Sequence, residues 1–179
     1  MKTSNGEIKV IIGLGNPSSD YSNTYHNIGS LFVDYLINQK NNNISDFKQP
    51  SHKHFEFISG KTTFVKPLVF MNESGTAVKE MASFFNFKPE NILVVHDDSD
   101  MLIGNYKLSF DQNSAGHKGI QSIINNLKTK KFHRLKIGIR PQEEKVRLKA
   151  EEFVLKKIKK KDVELLENVF NLMVKDLDL

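Results

Sequence analysis

Short apolar runs alternate along the chain with stretches whose apolar residues recur every three or four positions, which predicts an α/β domain. The first run, residues 8–14, contains Gly13 and stops at Gly15-Asn16-Pro17, where the glycines are expected to let the chain turn tightly. A polar turn leads on to His26-Asn27. Ile28, Leu31, Phe32, Tyr35 and Leu36 then follow at helical spacing, and the Asn-rich residues 41–43 are expected to end that helix. Runs 55–58 and 62–65 flank Ser59-Gly60-Lys61 and predict a β-hairpin. After Pro67 comes VFMNESG, where Ser74 is placed to cap a second helix carrying Val78, Met81, Ala82 and Phe85 on one face.

Residues 91–95 have the apolar character of a central strand and run directly into His96, Asp97, Asp98, Ser99 and Asp100. A polar loop over 104–116 contains a brief alternating segment at 106–110. A third helix is predicted over 120–127, a further strand over 134–139, and a charged, exposed loop over 140–150 in the position of a lid. The last helix, 162–177, repeats Val163, Leu166, Phe170, Met173 and Leu177 as a core-facing stripe. No internal repeat or domain boundary interrupts this order, so residues 1–179 are expected to form a single domain.

Composition narrows the chemistry. The chain has no cysteine, which excludes disulfides, a thiolate nucleophile and Cys-ligated zinc and fits a reducing cytoplasm. No apolar run approaches membrane-spanning length and the opening seven residues do not resemble a signal peptide, so a cytoplasmic protein without membrane contact is expected. A formal net charge of +5 and an isoelectric point near 9.2 favour a polyanionic partner. Part of that charge lies in the lysine-rich residues 156–161, where a solvated basic turn is the plainer explanation.

Three polar clusters each follow an apolar run: Asn16 with His26, Asn72 after Val69-Phe70-Met71, and the acids from Asp97 to Asp100. Loops at the carboxyl ends of strands in open α/β sheets converge on ligand crevices. Such convergence would bring an imidazole, a carboxylate and two carboxamides together. A neutral histidine takes a proton from water near neutral pH, and a carboxylate on its other nitrogen fixes the tautomer. Carboxamides hold a carbonyl or position the water. Each residue also has a structural explanation: His26 as a hydrogen-bonded structural histidine, Asn16 as turn chemistry before Pro17, Met71 as core filler, Asn72 as a cap, and the acids as a solvated turn. A dinucleotide fingerprint fails for want of a third glycine, and neither a GxSxG elbow nor a P-loop occurs. A metal site of His96 and the acids with His26 or His117 lacks diagnostic spacing, so no metal is expected.

Together these segments resemble the bacterial peptidyl-tRNA hydrolase family. The matching residues are GLGNP (13–17), Tyr21, Thr24, HNIG (26–29), KPLVFMNESG (66–75), VVHDDSD (94–100), Gly104, GHKG (116–119), Ser122-Ile123 and RLKIGIRP (134–141), in family order across residues 8–141. The resemblance implies one α/β domain with a twisted mixed β-sheet sandwiched between α-helices. It also implies hydrolysis of the ester joining peptide to tRNA, which recycles prematurely released peptidyl-tRNA without metal or cofactor. In this chain His26 would be the general base and Asp97 its orienting carboxylate. Asn16 and Asn72 would hold the substrate, with Tyr21 and Met71 lining the cleft. Lys118 stands where the family has Asn and is expected to bind substrate as a donor only. Tyr25 replaces the usual Arg, Ser18 a Gly, and Ser109 a common basic residue.

An acceptor end rich in phosphate calls for basic residues near the cleft, and Lys107, Arg134 and Lys136 are the candidates beside Lys118. The chain is expected to act as a monomer. Two rival functions stand beside hydrolysis: an RNA-binding protein of the same fold without catalysis, motivated by the departures at Lys118, Tyr25 and Ser109, and a metal-dependent hydrolase using the acid cluster.

Overall fold

The computed structural model describes residues 2–4, 6–39, 46–51, 53–142 and 150–178. A small hairpin, β1 (Lys2–Thr3) and β2 (Gly6–Glu7), precedes the main sheet. The main strands are β3 (Val10–Gly13), β4 (Phe55–Ile58), β5 (Thr63–Pro67), β6 (Ile92–Leu102), β7 (Tyr106–Phe110) and β8 (His133–Arg140). The α-helices among the described residues are α1 (Ile28–Gln39), α2 (Ser74–Phe85), α3 (Lys118–Leu127), α4 (Ala150–Phe153) and α5 (Lys160–Leu177), and short 3₁₀ turns join several elements. The sheet order is β4-β5-β3-β6-β8-β7. Its four inner strands are parallel and the two edge strands antiparallel, so this is the mixed sheet the sequence led us to expect.

Burial explains the strand sequences. Val10, Ile11 and Ile12 and the run Ile92 to Val95 are buried on both faces, as parallel strands covered by helices require. Alternate residues separate into two cores. Ile11, Leu93, Val95, Leu135 and Ile137 pack with Phe32 and Leu36 of α1 and with Leu166, Phe170 and Met173 of α5. Val10, Ile12, Ile92 and Val94 pack with Val78 and Met81 of α2 and Ile120 and Ile123 of α3.

The parallel strands send their carboxyl ends to one side of the sheet, where the loops bearing Asn16, His26 and Asn72 emerge beside the acid-rich half of β6. Close backbone packing fixes that side. A Cβ on Gly29 would stand 2.2 Å from the Val95 carbonyl oxygen, and one on Gly13 only 2.3 Å from that of Gly29. Gly13 and Gly15 are absent from the positive-φ residues. Gly13 therefore serves the approach of α1 to the sheet rather than a tight turn.

Three local expectations are corrected. β6 continues to Leu102 because its polar half still pairs with β8, with an irregularity between Asp98 and Leu102. Ser74 is the first residue of α2 and is buried; its hydroxyl donates to the Met71 carbonyl at 2.8 Å instead of accepting a helix amide. α4, unforeseen, begins at Ala150, the last residue of the expected 140–150 loop, most of which lies outside the described residues, as do residues 41–43.

Candidate active site

His26 sits in a 3₁₀ turn, Tyr25–Asn27, immediately before α1. Its own N–H donates to the Val154 carbonyl at 2.8 Å, so the turn is held by the segment that follows α4. Asn27, buried, locks the neighbouring loop: it accepts from the Asn16 N–H and donates to the Asn16 carbonyl, both at 2.9 Å. The Asn16 side chain then accepts from the Met71 N–H at 2.8 Å. Since an N–H can only donate, that contact identifies Oδ1 and leaves the amide NH₂ of Asn16 as the free end. Among the described residues it has no partner.

Asp97 is the centre of the arrangement. Its Oδ1 lies 2.8 Å from His26 Nδ1 and 3.0 Å from His117 Nε2. His117 Nδ1 accepts the Ile120 N–H at 3.3 Å as the cap of α3, so its proton sits on Nε2 and points at Asp97. His26 likewise donates from Nδ1, which leaves Nε2 as a lone pair in a residue that lines the cavity. Burial pushes the Asp97 carboxyl up, but His117 and then His26 outweigh it, through the positive charge each carries when protonated and the hydrogen bonds both donate, and hold the group far below the ordinary carboxylate range. A third imidazole backs the pair. His96 is buried, its Nδ1 is 2.6 Å from the Asp97 carbonyl, and its ring meets His117 edge to face at 4.6 Å. Burial, with His117 beside it, pushes His96 well below its usual range and keeps it neutral.

These groups open onto a cavity of about 660 Å³. Asn16, His26, Met71, Asn72, Asp97, Lys118 and Lys136 all line it, so the structure brings together seven of the ten residues singled out from sequence. Asn72 is exposed on the 3₁₀ turn Met71–Glu73, with Met71 buried beneath it. Lys118, at the start of α3, forms an exposed ion pair with Glu151 at 3.5 Å across the mouth. Lys136 is mostly buried and sits 3.2 Å from Asp98. Lys107 is exposed on β7, directly across from Lys136 in the strand register, and is not among the lining residues.

Two placements differ from expectation. Tyr21 does not line the cavity; its ring packs edge-on against Phe70, which does. Arg134 is wholly buried, so its guanidinium does not reach a phosphate in this conformation. It donates instead to the Asn113 carbonyl at 2.8 Å, pinning the loop that leads to His117. Its Nε and Nη2 are buried without partners among the described residues, which makes this strut expensive to bury.

The residues missed from sequence are His117 as a second ligand of Asp97, His96 behind it, and Glu151 with Val154 and Leu155 on the far wall. GHKG was visible as a motif, and His117 three residues before the buried Ile120 was the available signal for a cap. Chemically, the site offers a base, a charged orienting group and amide donors. His26, Asp97 and His117 also place ligand atoms within 4.8 Å of one another, a spacing a cation can use. A metal on the nitrogens that now face Asp97 would have to displace their protons.

Comparison with known proteins gives these features a family. A family model described as peptidyl-tRNA hydrolase matches residues 10–179. A peptidyl-tRNA hydrolase of Lactobacillus helveticus is 37% identical over 172 residues, covering 96% of this chain and 91% of that protein. One of Mycoplasma capricolum is 40% identical over 165 residues, covering 92% and 88%. The crystal structure of peptidyl-tRNA hydrolase from Acinetobacter baumannii superposes with a TM-score of 0.83 at 30% identity, over 100% of this chain and 90% of that one. The chain belongs to the peptidyl-tRNA hydrolase family.

Proposed function

We propose that this chain hydrolyses the ester joining a peptide to the terminal ribose of tRNA, releasing free tRNA and peptide, with His26 as general base and no metal. The observation that carries the mechanism is the 2.8 Å contact of His26 Nδ1 with Asp97, which leaves Nε2 as the lone pair available to water. In the proposed step Nε2 takes a proton from water as its oxygen bonds to the ester carbonyl carbon. The free amide of Asn16, with Asn72, donates to the developing oxyanion. Collapse breaks the bond to the ribose oxygen, which recovers the proton from His26. Asp97 stabilises the imidazolium between the two transfers.

The remaining roles follow placement. Met71 forms the floor, Tyr21 acts through Phe70, Lys118 donates at the mouth, and Lys136 with Lys107 meets phosphate. Arg134, proposed for tRNA from sequence, acts through the Asn113 loop. The working unit proposed here is a monomer with a single domain over residues 1–179, in which the loops before α1, α2 and α3 and the strand β6 all contribute to one cavity. Among the described residues no helix is long and apolar enough to cross a membrane, and a translation substrate fits the cytoplasm. The test is a gel assay of peptidyl-tRNA cleavage by wild type and His26→Ala, each with and without chelator. Cleavage that survives chelation and disappears with His26 is expected. Loss on chelation would move the reaction to a metal, and cleavage by neither protein would leave an RNA-binding protein.

A further inference from the structure

Lys156, Lys157, Lys159, Lys160 and Lys161 place five positive charges in six residues, as many as the formal net charge of the whole chain, +5. All five are exposed. The run is not a loose tail, because the loop carrying His26 holds it. The Tyr25 N–H donates to the Lys156 carbonyl at 3.2 Å and the Ile158 N–H to that of Asn23 at 2.8 Å. Lys157 Nζ donates to the Asp20 carbonyl at 2.6 Å, and Thr24 and Lys157 form a β-bridge. Leu155, immediately before the run, lines the catalytic cavity. The charge therefore stands fixed beside the cavity, on the connection between α4 and α5 and the first two residues of α5.

The dipole of α5 gains nothing from charge at its start. Lys159 is the N-cap of α5 but its side chain makes no capping hydrogen bond, and Lys160 and Lys161 begin the helix, where its dipole already presents positive charge. Asp162, the only acid of that first turn, is buried and accepts from the Tyr25 hydroxyl at 2.5 Å. The lysines oppose the helix they start and are spread over a solvent face, the arrangement that suits a polyanion with regularly repeated charges.

We infer that residues 156–161 are a second RNA-phosphate surface, contacting the stem of the tRNA whose acceptor end enters the cavity, while Lys136 and Lys107 approach it from β8 and β7. This rests on the peptidyl-tRNA reading of the cavity. The test is the triple variant K156Q/K159Q/K160Q, which spares the Lys157 contact to Asp20. Binding of deacylated tRNA is followed by fluorescence anisotropy across a salt series. Hydrolysis is compared on peptidyl-tRNA and on a peptidyl ester of a short CCA oligonucleotide, and thermal melting is recorded. Affinity for tRNA should fall about tenfold near 0.1 M salt, with the log–log salt slope shallower by about two, at slightly under one per lost phosphate contact. Turnover of the short ester should be unchanged and the melting temperature no lower. An unchanged salt slope would overturn the inference and assign the run to another polyanion, and equal loss on the short ester would overturn it as well. If wild type cleaves neither ester yet the variant still loses salt-dependent tRNA binding, the catalytic reading fails and the surface stands.

Discussion

Asp97 is 3% exposed and holds two imidazoles at 2.8 and 3.0 Å, whereas Lys107, on the basic flank, is exposed on β7 opposite Lys136. Between them lies Lys136, mostly buried and paired with Asp98. The floor of the cavity is organised in advance: Asn27 locks Asn16, Asn16 locks Met71, and Val154 holds the His26 backbone. Fixed dipoles of this kind stabilise charge as it develops, without rearranging during the reaction. The flank is built for a different purpose. Phosphates are met by charge at a distance, and surface ion pairs contribute about 0–1 kcal/mol each, so little precision is needed there. Substitutions on the floor should therefore act on kcat, and those on the flank on KM and its salt dependence.

The largest effect should come from removing the base. His26→Ala should lower kcat on peptidyl-tRNA by about a hundred- to ten-thousandfold and leave tRNA affinity nearly unchanged. A loss of tenfold or less would end the assignment. Gly29→Ala attacks the same position through the backbone. Its methyl would meet the Val95 carbonyl at 2.2 Å, and neither partner is a flexible side chain. Overpacking of this kind costs about 1–3 kcal/mol, sometimes more, and should push the start of α1, with His26, away from Asp97. A drop in melting temperature together with a fall in kcat is expected. Unchanged melting would show that α1 rides freely over the sheet.

Asp97→Asn sharpens the comparison, because the geometry alters what the substitution should do. Both imidazoles use the same carboxylate oxygen. An asparagine with its Oδ1 in that place can still accept from both, so the tautomers survive and the charge alone is lost. Coulomb attraction between unit charges about 4 Å apart at an effective dielectric of about 20 bounds the effect at about 4 kcal/mol. A loss in kcat on the order of a hundredfold, smaller than for His26→Ala, is expected on that basis. Stability adds a check with a definite sign. The folded Asp97 carboxyl lies below its unfolded value of about 3.9, so its contribution is complete above about pH 4 and is lost as pH falls further. Wild type and variant should differ in melting temperature at pH 7 and converge below pH 4. A gap that stays constant as the pH falls below 4 would mean that Asp97 supports the fold through packing rather than charge.

The same contrast explains what could be read from the chain. Val10-Ile11-Ile12 and Ile92 to Val95 announce themselves because doubly buried strands must be apolar on both faces. From there, His26, Asn72 and Asp97 could be placed at strand ends. The second half of β6 could not, since His96 and the acids after it have no strand pattern and are held extended by β8. His117 was hidden for a related reason: its role depends on the start of α3 falling opposite Asp97, a distance in space that no spacing along the chain encodes. Arg134 misled for the opposite reason. A strand position between apolar neighbours predicts a defined face but not whether that face is covered, and here it is.

The smallest effects belong to the flank, and they set the boundary between the two regions. Lys136→Ala removes a cation that lines the cavity and leaves Asp98, 16% exposed, without its partner. The variant should bind tRNA-linked substrate several-fold more weakly, with a salt slope shallower by about one, and process a short peptidyl ester at the wild-type rate. Lys107→Ala, from an exposed position one strand further out, should show the same pattern at reduced size, since exposed charges beyond about 10 Å are largely screened near 0.1 M salt. If Lys136→Ala slowed the short ester as much as the tRNA substrate, Lys136 and Asp98 would belong with the organised floor. The boundary would then fall between β8 and β7 rather than between β6 and β8.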